Sequence, residues 1–237
     1  MLLKSLVALL QFTTTLPLGK TVEFSNFVRR SYLYPVAGWV TGGICAALIL
    51  YIGNPLLAAA LALGILFLLT GCNHLDGLMD FGDGIMAHGG RDRRIQALTD
   101  RQIGTGGVAM AISVTLVSFA ALASSPSIVS AVIACEVGSK FSMALLSAWG
   151  KPFREGLHAT IQAGSRPYFP VLAALLCIPL VLLPLDPLRL ARAAVLMVLT
   201  PLALLSISLR LFGGVNGDVT GAAGEITRAA VLAALAL

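Results

Sequence analysis

The stretch Pro55-Leu-Leu-Ala-Ala-Ala-Leu-Ala-Leu-Gly-Ile-Leu-Phe-Leu-Leu-Thr-Gly71 contains no charged side chain and decides the fold class. A helix that crosses a bilayer needs about 20 predominantly apolar residues. This run comes close to that length and has companions of the same kind. Tyr34–Ile52, Val108–Ala123, Ile128–Trp149, Tyr168–Leu185 and Leu190–Phe212 read as further spans. A last run, Ala229–Leu237, is too short to cross unless the turn before it joins the helix. Met1–Leu18, closed by Pro17 and Gly19, reads as a retained interfacial or re-entrant segment, since no small-residue cleavage site follows it. The expectation is an all-α polytopic integral membrane protein of about six or seven transmembrane helices, with residues 1–237 as one membrane-embedded domain.

Composition points the same way. The chain is 57% hydrophobic and 11% charged, with a mean hydropathy of +0.91. Soluble domains carry about 25% charged residues. The net charge of +5 is not a nucleic-acid signal, because the basic residues are dispersed among loops. Lys20, Arg29 and Arg30 precede the first span, Arg91, Arg93, Arg94 and Arg101 follow the second, and Lys151, Arg154 and Arg166 follow the fourth. Only Arg189 and Arg192 fall on the other side. The positive-inside rule makes the basic side cytoplasmic, in a multi-pass protein of the cell membrane. Loop parity puts Gly213–Gly224 on that side too. Cys45, Cys72, Cys135 and Cys177 lie in or beside apolar runs without metal-ligand spacing, and read as small buried hydrophobes.

Directly after the opening stretch comes Gly71-Cys-Asn-His-Leu-Asp-Gly-Leu-Met-Asp-Phe-Gly-Asp-Gly84. Asp76, Asp80 and Asp83 stand at i, i+4 and i+7, so a helix carries all three on one face. Like charges so placed repel unless a cation lies between them, and oxygen ligands select a hard ion, Mg²⁺ or Mn²⁺, over zinc. The bland alternative is a solvated acidic loop. Asp218 and Glu225 repeat the seven-residue spacing in Gly213–Glu225, for which the alternative is a flexible loop entering the last helix. Arg91, Arg93, Arg94 and Arg101 between the second and third spans suit a substrate rich in phosphate oxygens; an ordinary positive-inside loop has the same look. His74 falls nearly opposite the Asp76 face and does not count as a ligand, and His88 and His158 have no partner that sequence identifies.

At these residues the chain resembles the cobalamin-5′-phosphate synthase, or adenosylcobinamide-GDP ribazoletransferase, family. The family run G-x-x-H-L-D-G-L-x-D-x-x-D-G is matched by Gly71, His74, Leu75, Asp76, Gly77, Leu78, Asp80, Asp83 and Gly84. Asp100, Ile103, Gly104 and Gly107 match a following D-x-x-I-G-x-x-G element. Gly213, Gly214, Gly217, Asp218, Gly221, Ala222 and Glu225 match the C-terminal element. Leu16-Pro17 after a Thr-rich stretch, and Pro35, Gly38 and Gly42, also fit. Departures are Gln102, where many members have Arg or His, and Asn216, where many have Thr.

The resemblance implies a Mg²⁺-dependent membrane enzyme that completes a nucleotide loop. A hydroxyl of α-ribazole, or of its 5′-phosphate, attacks the phosphoryl group attached to cobinamide in adenosylcobinamide-GDP, and GMP leaves. The expected partners are these substrates and the lipid bilayer, with room for a homo-oligomer and no nucleic acid. Asp76, Asp80 and Asp83 are the expected catalytic residues, with Asp83 the candidate base. The expected metal set is Asp76, Asp80, Asp83, Asp218 and Glu225, and Asp100 joins Arg91, Arg93, Arg94 and Arg101 at the substrate phosphates. The first cluster is also similar to the carboxylate motif of CDP-alcohol phosphotransferases, the alternative enzyme. A cation-coupled transporter is the alternative outside enzymes, for which Glu136 and Lys140 at i and i+4 in the fourth span would form a buried pair.

Overall fold

A computed structural model describes residues 2–237; Met1 lies outside the described residues. The helices in chain order are α1 (Leu2–Thr13), α2 (Ser25–Val28), α3 (Tyr34–Ile49), α4 (Pro55–Leu69), α5 (Asn73–Met86), α6 (Arg91–Leu98), α7 (Thr105–Ala123), α8 (Ile128–Trp149), α9 (Leu157–Gly164), α10 (Phe169–Leu175), α11 (Pro187–Leu211) and α12 (Gly217–Ala236). Among the described residues the only extended pairing is an isolated bridge between Pro152 and Val215. Five helices are long and apolar enough to cross a membrane, or up to seven spans if each of two bent pairs crosses as one. The chain is thus an all-α polytopic membrane protein.

α8 and α12 form the centre. In α8, 83% of the apolar window is buried, and in α12, 78%. The corresponding values for α7 and α11 are 22% and 28%. Ile112, Leu116 and Val117 of α7, and Val195, Val198 and Leu199 of α11, are exposed, so these two helices face lipid. Close approach, rather than apolarity, holds helices together where the surroundings are as apolar as the side chains. On α3, Gly38 and Gly42 supply it: a Cβ at Gly38 would stand 2.5 Å from the Glu136 carbonyl oxygen of α8.

The structure changes three expectations. The run Tyr168–Leu185 is not one helix. α10 stops at Leu175, four residues before Pro179, whose ring would clash with that carbonyl. A short 3₁₀ turn, Ile178–Leu182, follows, and α9 with this segment forms a pair bent by 88°. The second change concerns the C-terminal cluster, which is no loop. Only Gly213–Asn216 is irregular, and α12 then runs unbroken through Asp218 and Glu225 to Ala236. The last apolar run therefore does have the turns before it in the same helix. Third, Cys45 and Cys135 are buried as expected, but Cys72 is exposed and Cys177 intermediate.

The opening stretch forms α4, and the chain then bends by 93° into α5. Gly71 and Cys72 both adopt left-handed backbone, with φ of 61° and 58°. That conformation suits glycine and is uncommon for a residue with a Cβ. The freed carbonyls at the end of α4 are taken by the N-terminal segment: Thr15 donates from its amide to Leu69 O at 2.8 Å and from its hydroxyl to Leu68 O at 2.9 Å. The Thr-rich stretch after α1 thus caps a membrane helix. α1 itself is too short to span; Leu9 is fully buried and Phe12 packs on Phe24 and Phe27.

Candidate active site

α5 keeps its helix despite glycines at 77, 82 and 84, because each lies at a crossing with a neighbour. A Cβ at Gly77 would stand 2.7 Å from the carbonyl oxygen of Asp218 and 2.9 Å from its Cα. The two carboxylate segments, far apart in sequence, therefore touch backbone to backbone at Gly77 and Asp218. Asp80 lies within electrostatic reach of Asp218, Asp76 and Asp83. Asp76 and Asp218 line one cavity of about 310 Å³. The structure thus brings Asp76, Asp80 and Asp218 together, on α5 and the first turn of α12.

Asp83 is held differently. Its Oδ2 accepts from the Gly104 amide at 2.7 Å and its Oδ1 from the Gly107 amide at 2.8 Å. These donors belong to the first turn of α7 and its N-terminal cap, where a carboxylate is favourable. A Cβ at Gly104 would meet Asp83 Oδ1 at 2.4 Å, which explains glycine at that position of the middle motif. With both oxygens engaged, Asp83 clamps α7 to α5.

Glu225 also stands apart from the carboxylate group. It is buried and ion-paired with Arg228, on the next turn of α12. Arg228 reaches across to Glu136 of α8, Nε to Oε1 at 2.7 Å. Glu136 further accepts from the Thr41 hydroxyl at 2.6 Å and pairs with Lys140 at 3.4 Å. Two carboxylates and two cations therefore lock α3, α8 and α12 in the protein interior. Glu136 and Lys140 do form the buried pair that their spacing suggested.

The arginines divide as well. Arg94 donates to the Ile85 carbonyl at 2.6 Å and longer to Gly84, at the C-terminal end of α5, where a cation complements the helix dipole. Arg91 lies over Gly213 and joins the α6 segment to the C-terminal loop. Arg93 and Arg101 are exposed. Asp100 accepts from the Gln102 amide at 3.1 Å and lines a hollow of about 390 Å³ with Asp83 and Gly104. The cation beside the carboxylate group is Arg154, 3.6 Å from Asp218 and half exposed, which sequence reading did not single out.

Other members of the site were missed too. Asn216 caps α12, accepting from the Val219 amide at 3.0 Å, while its Nδ2 donates to Asp218 Oδ2 at 2.6 Å. The signal was present: an Asn directly before a helical run is a typical N-cap. His74 lines the same cavity as Asp76 and Asp218, although its position on a regular helix had set it aside. His158 is there also. Its Nε2 contacts the Gly150 carbonyl at 2.9 Å and its Nδ1 the Thr220 hydroxyl at 3.2 Å. A carbonyl only accepts, so Nε2 carries the proton; the Thr220 hydroxyl beside Nδ1 donates to the Asn216 carbonyl at 2.9 Å.

The loops at this end are tied to one another. The Val215 amide donates to Lys151 O at 2.8 Å, and a Cβ at Gly84 would meet Leu98 and Phe212. The segments around Asp83, Gly150 and Gly213 therefore meet at one end of the bundle.

The cobalamin-5-phosphate synthase family model matches residues 5–236. The chain belongs to this family. The chain is similar to proteins named adenosylcobinamide-GDP ribazoletransferase from several archaea. With that of Methanococcoides burtonii it shares 34% identity over 94% of this chain and 88% of the relative. With that of Methanocella arvoryzae the figure is 36%, over 98% and 94%. With that of Pyrococcus abyssi it is 36%, over 96% and 95%. No solved structure matches.

Proposed function

We infer that this protein transfers the cobinamide phosphoryl group of adenosylcobinamide-GDP to α-ribazole or its 5′-phosphate. Family membership and the names of the relatives support the reaction. The observation that supports the place is the meeting of Asp76 and Asp80 on α5 with Asp218 on α12. In the reaction a ribose oxygen forms a bond to the phosphorus next to cobinamide. The bond from that phosphorus to the bridging pyrophosphate oxygen breaks, and GMP departs with the bridging oxygen. The hydroxyl proton passes to a carboxylate. Asp80 is the proposed acceptor in place of Asp83, whose oxygens are both occupied by backbone amides. Arg154, exposed beside Asp218, and Arg91, Arg93 and Arg101 of the neighbouring segment are proposed to hold phosphate oxygens.

The residues fit a Mg²⁺ ion. Asp76, Asp80 and Asp218 are hard oxygen donors, and neither the Asp76 nor the Asp80 carboxylate has an ion pair or hydrogen bond among the described residues. No three of the described His, Cys, Asp or Glu residues surround one point. Mg²⁺ bound with substrate phosphates commonly takes only one or two protein carboxylates. Asp76 and Asp218 would hold it, leaving Asp80 free to take the proton; Asp83, as the clamp of α7, and Glu225, on the buried side of α12, would act by positioning. The ion would supply charge neutralisation at the pyrophosphate.

The decisive assay uses detergent-purified protein without vesicles. With adenosylcobinamide-GDP, α-ribazole and Mg²⁺, GMP and a cobalamin product should appear together, and chelation should stop both. Absence of GMP under conditions where the protein stays folded would remove this reading and return the transporter to consideration.

The proposed setting is the cell membrane with the site facing the cytoplasm, supported by the basic residues clustered at the site end. A single cysteine at position 92, in a background without the native cysteines, should be labelled by an impermeant maleimide only after inside-out vesicles are made. Labelling from the outer face of intact cells would reverse the orientation.

A further inference from the structure

We propose that the cavity beneath Asp76 and Asp218 is the seat of the acceptor nucleoside, with its base directed inward and its ribose at the carboxylates. This rests on the transferase reading above and assigns one of its two substrates to a place. The first ground is size. The cavity measures about 310 Å³, at the lower end of the range of ~300–1,000 Å³ in which small organic ligands are bound. Adenosylcobinamide-GDP, with its corrin ring, adenosyl group and guanosine diphosphate, is far too large for it. A single nucleoside is of the right size.

The second ground is polarity. The lining includes Asp76 and Asp218 with Asn73, where a ribose hydroxyl would meet the incoming phosphorus. It also includes Phe12, Tyr34, Met143, Leu157 and Ile161, apolar and aromatic side chains suited to a flat bicyclic base. The apolar wall comes from α1, α3, α8 and α9, and the carboxylates from α5 and α12, so the cavity joins both halves of the molecule.

The third ground is an unpaired polar atom. His74 Nδ1 is buried and has no hydrogen-bond partner among the described residues. Such an atom is costly when left unsatisfied, and a ligand nitrogen or hydroxyl would restore the bond. His158, by contrast, has a polar neighbour at each nitrogen and serves as wall.

Leu157 is 60% exposed on α9 and lines the cavity, so changes there reach the ligand without opening the core. In Leu157→Trp the KM for α-ribazole should rise about tenfold or more, while the KM for adenosylcobinamide-GDP stays within about twofold. As a companion, Leu157→Cys in a Cys72→Ser background should be labelled by maleimide, and α-ribazole alone should slow that labelling. Adenosylcobinamide-GDP alone should not. A rise in the KM of the nucleotide-linked substrate instead would give the cavity to that substrate. Unchanged constants for both, or labelling unaffected by α-ribazole, would place the acceptor elsewhere. If the tryptophan variant aggregates, the labelling result decides alone. In each of these cases GMP release by the unaltered protein keeps the transferase reading intact, whereas its failure is recorded by the wild type.

Discussion

Replacing Asp80 or Asp218 by Asn should each lower kcat by roughly 10³-fold or more, with the protein still inserted and monodisperse. Both changes preserve shape. Asn216 retains its bond to position 218, and Gly77 still admits the α12 backbone, so the crossing of α5 and α12 is undisturbed. What is lost is charge at the point where phosphate and a divalent ion are proposed to meet. The double variant should fall within about tenfold of either single one, because parts acting as a unit do not contribute additively. Steady-state GMP release titrated with Mg²⁺ measures this. Near-normal activity and an unchanged Mg²⁺ requirement in Asp218→Asn would reduce the start of α12 to a structural element.

Arg228→Met should lower stability severely, on the order of 3–5 kcal/mol, because it leaves Glu136 and Glu225 facing each other without their shared cation. Lys140 would remain with Glu136 but forms no ion pair with Glu225 among the described residues. The loss should appear as a large fall in the detergent unfolding midpoint. Joint replacement of Glu136, Lys140, Glu225 and Arg228 by apolar residues of similar volume should recover much of it, since the net worth of a buried ion group is small. A midpoint within about 2 °C of wild type for Arg228→Met would mean that water reaches the group.

Much of the fold was legible because bilayer spans announce themselves by length and lack of charge. Ile128–Trp149 appears in the structure with the same limits. Legibility failed where one residue overrode composition. Pro179 ends α10 inside an apolar run that reads as a span, and Asn216 starts a helix inside a glycine-rich run that reads as a loop. The grouping of Asp76, Asp80 and Asp218 followed from helical spacing and loop parity. Separating Glu225 from them did not, because the seven-residue spacing puts Asp218 and Glu225 on one face of α12 but says nothing of depth. Two turns along α12 is about 10 Å, enough to leave the mouth and enter the interior. Arg154 and His158 were invisible because their partners, Asp218, Gly150 and Thr220, come from other segments or from backbone.

The bend between α4 and α5 bears on how the protein is made. α5 follows an apolar helix out of the ribosome, yet its acidic face gives it little tendency to settle in lipid by itself. Its resting place against α12 does not exist until α12 has been synthesised. The carboxylate group is therefore assembled only when α12 arrives to receive α5. A chain arrested short of Gly217 would insert most of its spans and still have no place for chemistry.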